Sequence, residues 1–274
     1  MREIDVRHLG RERVICCFAL DGVLVDPGPE SSHRTLVEAL GDEVPRALLL
    51  THIHFDHAGA AGALVRLWPE VEVWVHERGA RHLADPERLV ASAKRLYGDD
   101  FDRLWGEVVP VPEGNLRVLQ GGERLEGFRV AYTPGHASHH VAYLHEDSGT
   151  AFVGDVGGVR IDGGPVMPPT PPPDIDLEAW AASLDLVEEW SPQRLGSTHF
   201  GAFDDVGAQL DAVRQGLHEW GDLARSTDAQ EYVARLEAHV REGSARGDAE
   251  AYLQALPPEM QWAGLDRYWR SRTG

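Results

Sequence analysis

The sequence predicts a mixed α/β fold carrying a helical C-terminal appendage, on three observations. Short β-rich apolar runs recur up to residue 199 and are separated by stretches of helical character. Several of these runs end directly in His, Asp or Pro-Gly, as strands do where they hand over to loops that carry chemistry. From 205 to 274 the strand signals stop and the pattern is helical, with a break at Pro257-Pro258. With 274 residues the chain can bury a sizeable core in one large domain or two small ones. No repeat at a solenoid period is present, and the expected organisation is a main unit over 1–204 with a helical extension over 205–274 packed on it.

In chain order, Arg13 to Leu20 is β-rich, Asp21-Gly22 is a hairpin signal, and Val23-Leu24-Val25 returns before Asp26-Pro27-Gly28-Pro29 ends the strand. Residues 32–41 are helical in pattern. Arg46-Ala47-Leu48-Leu49-Leu50 is a continuous apolar run, the mark of a strand buried on both faces. Ala58 to Leu67 reads as a helix, Glu72 to His76 as a strand, and 78–106 as mostly helical. Short strands are expected within 115–133. A hairpin is expected from Val141-Ala142-Tyr143-Leu144 and Thr150-Ala151-Phe152-Val153. The Gly- and Pro-rich residues 157–173 read as a stiff loop forming a wall or lid. An amphipathic helix over 176–190 and a short final strand ending in His199 complete the main unit.

Charge narrows the function. The formal net charge is -19, which repels phosphate backbones and anionic membranes, so neither nucleic acid nor a membrane is expected as partner. No apolar run approaches the length of about 18 residues that a membrane span requires. Met1-Arg2-Glu3-Ile4-Asp5 carries charges where a signal peptide has its apolar core, and a cytoplasmic location is expected. The adjacent Cys16 and Cys17 point to opposite faces of a strand, so they read as unpaired core residues. Lys94 is the single lysine in the chain.

The placement of His and Asp is the most informative feature. His52, His54, Asp56 and His57 fall within six residues, behind an aliphatic strand and ahead of a small-residue helix. His136, Asp155 and His199 each follow an apolar strand. Four such loops, with N and O ligands and no Cys, describe a site for a borderline or hard divalent metal. In a tight strand-to-helix loop, residues i and i+2 can point the same way. His52 and His54 can then grip one ion while Asp56 and His57 grip another. Seven ligands exceed the four of a single tetrahedral zinc, so two metals are the natural count. Two ions share and activate a bridging water.

These segments resemble the signature of the metallo-β-lactamase superfamily. Thr51-His52-Ile53-His54-Phe55-Asp56-His57-Ala58-Gly59 resembles its principal motif, and Thr133-Pro134-Gly135-His136 its third-histidine loop. Phe152-Val153-Gly154-Asp155 resembles its bridging-aspartate strand, and Ser197-Thr198-His199-Phe200-Gly201 its last ligand. The order and rough spacing match through residues 14–201. The resemblance implies an α+β fold, a four-layer αββα sandwich of two mixed β-sheets, with residues 1–204 as the catalytic unit. It implies His52, His54 and His136 around one metal, Asp56, His57 and His199 around a second, and Asp155 bridging. It further implies a metal-dependent hydrolase of a small ester, thioester or lactone that uses a metal-bridging hydroxide oriented by Asp56. The cofactors expected are two divalent ions, zinc first, with iron or manganese as alternatives. His54 stands where flavodiiron oxidoreductases carry glutamate, and the histidine-rich pattern is similar to the glyoxalase II and lactonase branch. A mononuclear iron persulfide dioxygenase-like enzyme and a non-catalytic metal-binding protein are the rival readings.

Other residues carry weaker expectations. Asp26 is expected to orient a ligand from beneath the metal loop, or else to serve a simple turn. Ser138, His139 and His140 read as a polar turn with one substrate contact as the alternative, and His76 as structural. Arg160 is expected to hold a substrate carboxylate or an ion pair. Trp262, Tyr268 and Trp269 read as packing aromatics, with a homodimer surface as the alternative.

Overall fold

A computed structural model describes residues 1–245 and 247–273. Strand β1 (Arg2–Asp5) leads through a short loop to β2 (Cys16–Leu20), β3 (Val23–Val25), α1 (His33–Leu40) and β4 (Ala47–Leu49). The metal-type motif follows β4 and enters α2 (Phe55–Ala58) and α3 (Ala61–Leu67). Then come β5 (Glu72–His76), α4 (Glu77–Ala84), α5 (Glu87–Tyr97), α6 (Phe101–Trp105) and β6 (Leu116–Leu119). The second half begins with β7 (Arg124–Leu125), β8 (Phe128–Tyr132), β9 (Val141–His145) and β10 (Thr150–Phe152). It continues through α7 (Leu177–Glu189), β11 (Arg194–Ser197) and β12 (Gly201–Phe203). Four helices close the chain: α8 (Val206–Ser226), α9 (Ala229–Gly243), α10 (Ala249–Ala255) and α11 (Pro258–Thr273).

The strands form two mixed six-stranded sheets, ordered β1-β2-β3-β4-β5-β6 and β12-β11-β10-β9-β8-β7. In the first, β3 to β6 run parallel and β1 and β2 antiparallel; in the second, only β10 and β11 are parallel. The period of two along each strand divides the core. Cys16, Phe18, Val25 and Leu49 of the first sheet pack against Val130, Tyr143 and Phe152 of the second. The Phe18 and Phe152 rings meet across the interior at 5.1 Å. The alternate residues, among them Cys17, Leu24, Leu48 and Ala142, join a larger core cluster that includes helical Leu36, Leu64 and Leu184. The result is helices outside two stacked sheets, the αββα sandwich with a helical C-terminal part. Cys16 and Cys17 are both buried and free.

Two strands depart from the expectation. The charged N-terminal stretch forms β1, paired with β2 from Arg2↔Ala19 to Asp5↔Cys16. As an edge strand it keeps Arg2 and Glu3 in solvent while Ile4 is buried, which charged residues at alternate positions permit. The strand leading to His199 is not the last. Gly201–Phe203 turns back as β12 and pairs antiparallel with β11.

The C-terminal helices fix the Pro-rich segment. Tyr252 accepts from the Ile161 amide at 2.8 Å and donates to Pro165 O at 2.8 Å. Gln261 Oε1 accepts from the Thr170 amide, and Arg267 Nε donates to Pro173 O. Tyr268 is buried, and Trp269 Nε1 donates to Gly221 O, so these tail aromatics pack within the chain. No described helix is long and apolar enough to cross a membrane.

Candidate metal centre

The sheets explain why the four loops meet. Strands β8 and β10 are both antiparallel to β9, and β11 is parallel to β10, so β8, β10 and β11 run in one direction. Their C-terminal loops, carrying His136, Asp155 and His199, therefore open at one edge of the second sheet. The loop after β4 is tied to that edge. The Val141 amide donates to Thr51 O, the Tyr143 hydroxyl to Leu50 O, and the Cys16 amide to Thr198 O. Two glycines allow the close approach. Gly135 at φ 137 sits where a Cβ would lie 2.4 Å from Trp180 Cα. Gly154 at φ 45 sits where a Cβ would lie 2.4 Å from Thr51 Oγ1.

All seven expected residues converge. Potential ligand atoms of His52, His54, His136 and Asp155 form one group within 4.8 Å of one another, and those of Asp56, His57 and His199 form another. Asp155 faces both: Oδ2 lies 3.2 Å from His136 Nε2, and Oδ1 lies 3.2 Å from His57 Nε2 and 3.6 Å from His199 Nε2. His136 Nε2 lies 3.0 Å from His54 Nδ1, and His199 Nε2 lies 3.4 Å from Asp56 Oδ2. Ligands about 2.0–2.1 Å from a tetrahedral zinc stand roughly 3.4 Å apart, which is the spacing seen here. His52 Nε2, His57 Nε2 and Asp155 Oδ1 are buried without a hydrogen bond of acceptable geometry. Buried polar atoms are seldom left so. A divalent cation in each group would satisfy all three, and the donor set fits it.

Outward nitrogens are held. His57 Nδ1 meets Asp26 Oδ2 at 2.8 Å, His136 Nδ1 meets Pro169 O at 2.8 Å, and His199 Nδ1 meets Val14 O at 2.6 Å. Each of these contacts fixes the ring and aims Nε2 inward. Asp26 is fully buried at φ 48 and also accepts from the Thr51 amide, Thr51 Oγ1 and Thr198 Oγ1. It thereby orients His57 and pins two of the four loops, which is far more than a simple turn requires.

The two groups carry different charge. Burial holds His52 and His136 below the usual histidine range and brings His54 to about 4, so all three are neutral and ready to coordinate. His57 also suffers the penalty of burial, but the carboxylates of Asp155, Asp56 and Asp26 outweigh it and raise it well above the usual range. His199 is raised by Asp155 and Asp56 against the same penalty. Asp56 and Asp155 are kept ionised by those histidines despite their own burial.

His54, Asp56, Asp155 and His199 open onto a cavity of about 1100 Å³. Most of its walls come from elsewhere than expected. Residues 157–173 contribute only Pro169 and Pro171 to Pro173. Most of the rest come from α4 to α6, from His8, Val14 and Ile15, and from Gln254 to Gln261 of the C-terminal helices. Arg160 does not line it. That side chain pairs with Asp205 at 2.8 Å, and its backbone brackets His199 through bonds to His199 O and Phe200 N. His139 does line the cavity, stacked 6.1 Å from His52, and its Nδ1 accepts from the Ile53 amide at 3.4 Å. The proton then sits on Nε2. His140 is fully buried behind the centre, bonded through Nδ1 to Thr133. His76 caps α4 by accepting from the Arg78 amide, a structural role. Nothing in the sequence around His8, Tyr97 or Trp105 marks them as cavity residues, because they are brought there only by tertiary packing.

The sandwich and this centre together define a metallo-β-lactamase-type protein. The sequence model of the metallo-beta-lactamase superfamily matches residues 20–191, and the chain belongs to that family. A metallo-beta-lactamase fold-containing protein of Sulfurisphaera tokodaii is 33% identical over 164 residues, covering 56% of this chain and 60% of that protein. The hydroxyacylglutathione hydrolase GloC of Haemophilus influenzae is 31% identical over 137 residues, covering 50% and 61%. The match thus spans about three-fifths of these relatives' own lengths. The solved structure of an archaeal metallo-beta-lactamase superfamily protein from Sulfolobus tokodaii superposes with a TM-score of 0.67. It covers 92% of this chain and 93% of that chain at 24% identity, a likeness of fold.

Proposed function

We propose that the protein is a hydrolase of an ester, thioester or lactone that works with two divalent metal ions, zinc first. The observation that carries this reading is the position of Asp155, one oxygen toward each of two histidine groups, each with one buried inward nitrogen, on His52 and on His57, that lacks a hydrogen bond. His52, His54 and His136 would hold one ion, Asp56, His57 and His199 the other, with Asp155 between. When bound, the ions supply Lewis-acid polarisation of the acyl oxygen and activation of water near neutral pH. The chain does the rest. Asp56, ionised and open to the cavity, orients the attacking water. His139 offers an Nε2 proton at the cavity wall to the substrate's polar atoms. The C-terminal helices and the prolines at 169–173 limit the approach of bulk water. The hydroxyacylglutathione hydrolase relative supports the thioester class.

Metal content by mass spectrometry on protein purified without chelators, paired with a panel of esters, thioesters and lactones, tests the reading. Two equivalents of zinc per chain with turnover of panel members are expected. One iron per chain with oxygen consumption would replace the hydrolase by an oxygenase. A metal-loaded protein inert toward the whole panel would leave a binding protein.

A further inference from the structure

We propose that the cavity binds small anionic amphiphiles, molecules with an apolar chain at one end and an anionic group at the other. The bond to be cleaved lies between the two ends. Only the cleavage rests on the hydrolase reading; the binding stands on the walls.

A cavity of about 1100 Å³ exceeds the roughly 300–1,000 Å³ of pockets for drug-sized ligands, so a small ester would leave most of it empty. One wall is apolar. Leu89, Ser92, Ala93 and Leu96 line the cavity at helical i, i+3, i+4, i+7 spacing along α5. Leu96 is 51% exposed, an apolar cost that a chain lying on it would remove. Behind this wall, Phe55, Ala93 and Phe101 form an apolar cluster separate from the main cores, with Tyr97 and Trp105 packed on it.

Another part of the wall carries arginines. Arg78, Arg81 and Arg95 line the same cavity, and among the described residues none is paired with a carboxylate. Arg78 lies over Tyr132 at 5.5 Å, and Arg81 Nε meets only the neighbouring His82. Most arginines of the chain are committed to carboxylates, as Arg214 is to Asp185, Asp211 and Glu188. The lining carboxylates are engaged elsewhere. Glu77 accepts from Gln120 and Asp174 from Ser138, while Asp56 and Asp155 belong to the metal centre. Outside the metal centre three arginines outnumber the two lining carboxylates, which leaves this wall with a net positive charge in a chain of net charge -19. Arginine's planar fork suits a carboxylate, sulfonate or phosphate.

The test uses octanoyl and acetyl thioesters of 3-mercaptopropionate, 2-mercaptoethanol and thiocholine, which are anionic, neutral and cationic. In each, water's oxygen adds to the acyl carbon, the C–S bond breaks, and a thiol and a carboxylic acid leave. Octanoyl-mercaptopropionate is expected to exceed the neutral and cationic octanoyl thioesters by about tenfold or more in kcat/KM, within the range that charge steering supplies. The double variant Arg81→Gln, Arg95→Gln should erase that preference, chiefly by raising KM for the anionic thioester. Ala93→Trp should slow the octanoyl series more than the acetyl series. In parallel, metal-loaded protein is titrated with 8-anilinonaphthalene-1-sulfonate. Decanoate should displace the dye, decyltrimethylammonium should not, and the double variant should lose the distinction. Hydrolysis indifferent to charge and chain length, with no selective displacement, overturns this inference and leaves the hydrolase. Selective displacement without hydrolysis of any thioester, ester or lactone keeps the inference and overturns the hydrolase. Absence of both overturns both.

Discussion

The metal centre, whose His54, Asp56, Asp155 and His199 floor the cavity, takes its seven His and Asp residues from segments that follow strand ends, whereas the cavity walls come from helices and loops scattered from His8 to Gln261. Floor residues are held by buried hydrogen bonds to fixed partners, Asp26 and main-chain carbonyls among them. Wall residues such as Arg81, Arg95 and Leu96 are exposed and loosely held. The floor is thus preorganised for one chemistry, and the walls are free to vary with the ligand. Substitution should therefore cost activity outright at the floor and selectivity or stability at the walls.

The largest effect is expected at Asp155 and His54. Asp155→Ala and His54→Ala should each abolish hydrolysis while far-ultraviolet circular dichroism stays unchanged. Activity retained in both would break the contrast between floor and wall. Next comes Asp26→Asn, which touches no metal yet holds His57 and the two threonine loops. Loss of such an orienting partner typically weakens metal affinity by about 10–100-fold. Competition with a chelator should find this loss in one equivalent of metal and not in the other.

Metal loading at neutral pH should also release protons. His57 lies well above the usual range, so the metal-free protein carries a proton there that coordination must expel. His52, His54 and His136, held low, should release none. Zinc titration in weakly buffered indicator dye measures the count, and zero release would overturn the charge asymmetry of the floor.

At the walls, Tyr252→Phe removes two hydrogen bonds that tie the Pro-rich segment to the C-terminal helices. The expected cost is about 1–2 kcal/mol, a few degrees in melting temperature, with kcat little changed. A kcat loss exceeding the stability loss would assign those helices a part in the chemistry. The smallest effect is at His8, buried against Trp105 and lowered to about 4. The unfolded chain binds a proton there below about 6.5 that the folded chain refuses until about 4. Stability therefore falls as pH drops through that window, by up to about 1.4 kcal/mol per unit from this group. His8→Phe should flatten that slope in urea unfolding at pH 5 against pH 7.

The sequence was legible where a short pattern has a local cause. The run Ala47-Leu48-Leu49 announced a strand buried on both faces, and the parallel β4 between β3 and β5 is one. Asp21-Gly22 announced the turn between β2 and β3. It was less legible at β1, whose charged alternation is ordinary for an edge strand but gives no apolar run. It was least legible at β12, three residues long, which exists only because β11 offers an edge. Arg160 illustrates the same limit. Its nearness in sequence to Asp155 suggested the mouth of the site, yet Asp205 of the following helical region holds it aside.

By itself the sequence determined the identity and order of the seven centre residues. His52 and His54 follow β4, Asp56 and His57 lie in the first turn of α2, and His136, Asp155 and His199 follow β8, β10 and β11, so short apolar runs mark where all seven fall. Tertiary structure alone decided that the four loops share one sheet edge, because direction within a sheet depends on pairing between strands far apart in the chain. It alone decided that Asp155 faces both histidine groups, that Asp26 serves three partners at once, and that α4 and α5 bring Arg78, Arg81 and Arg95 to the cavity wall. Such contacts join residues with no short-range pattern between them, and only packing brings them within reach.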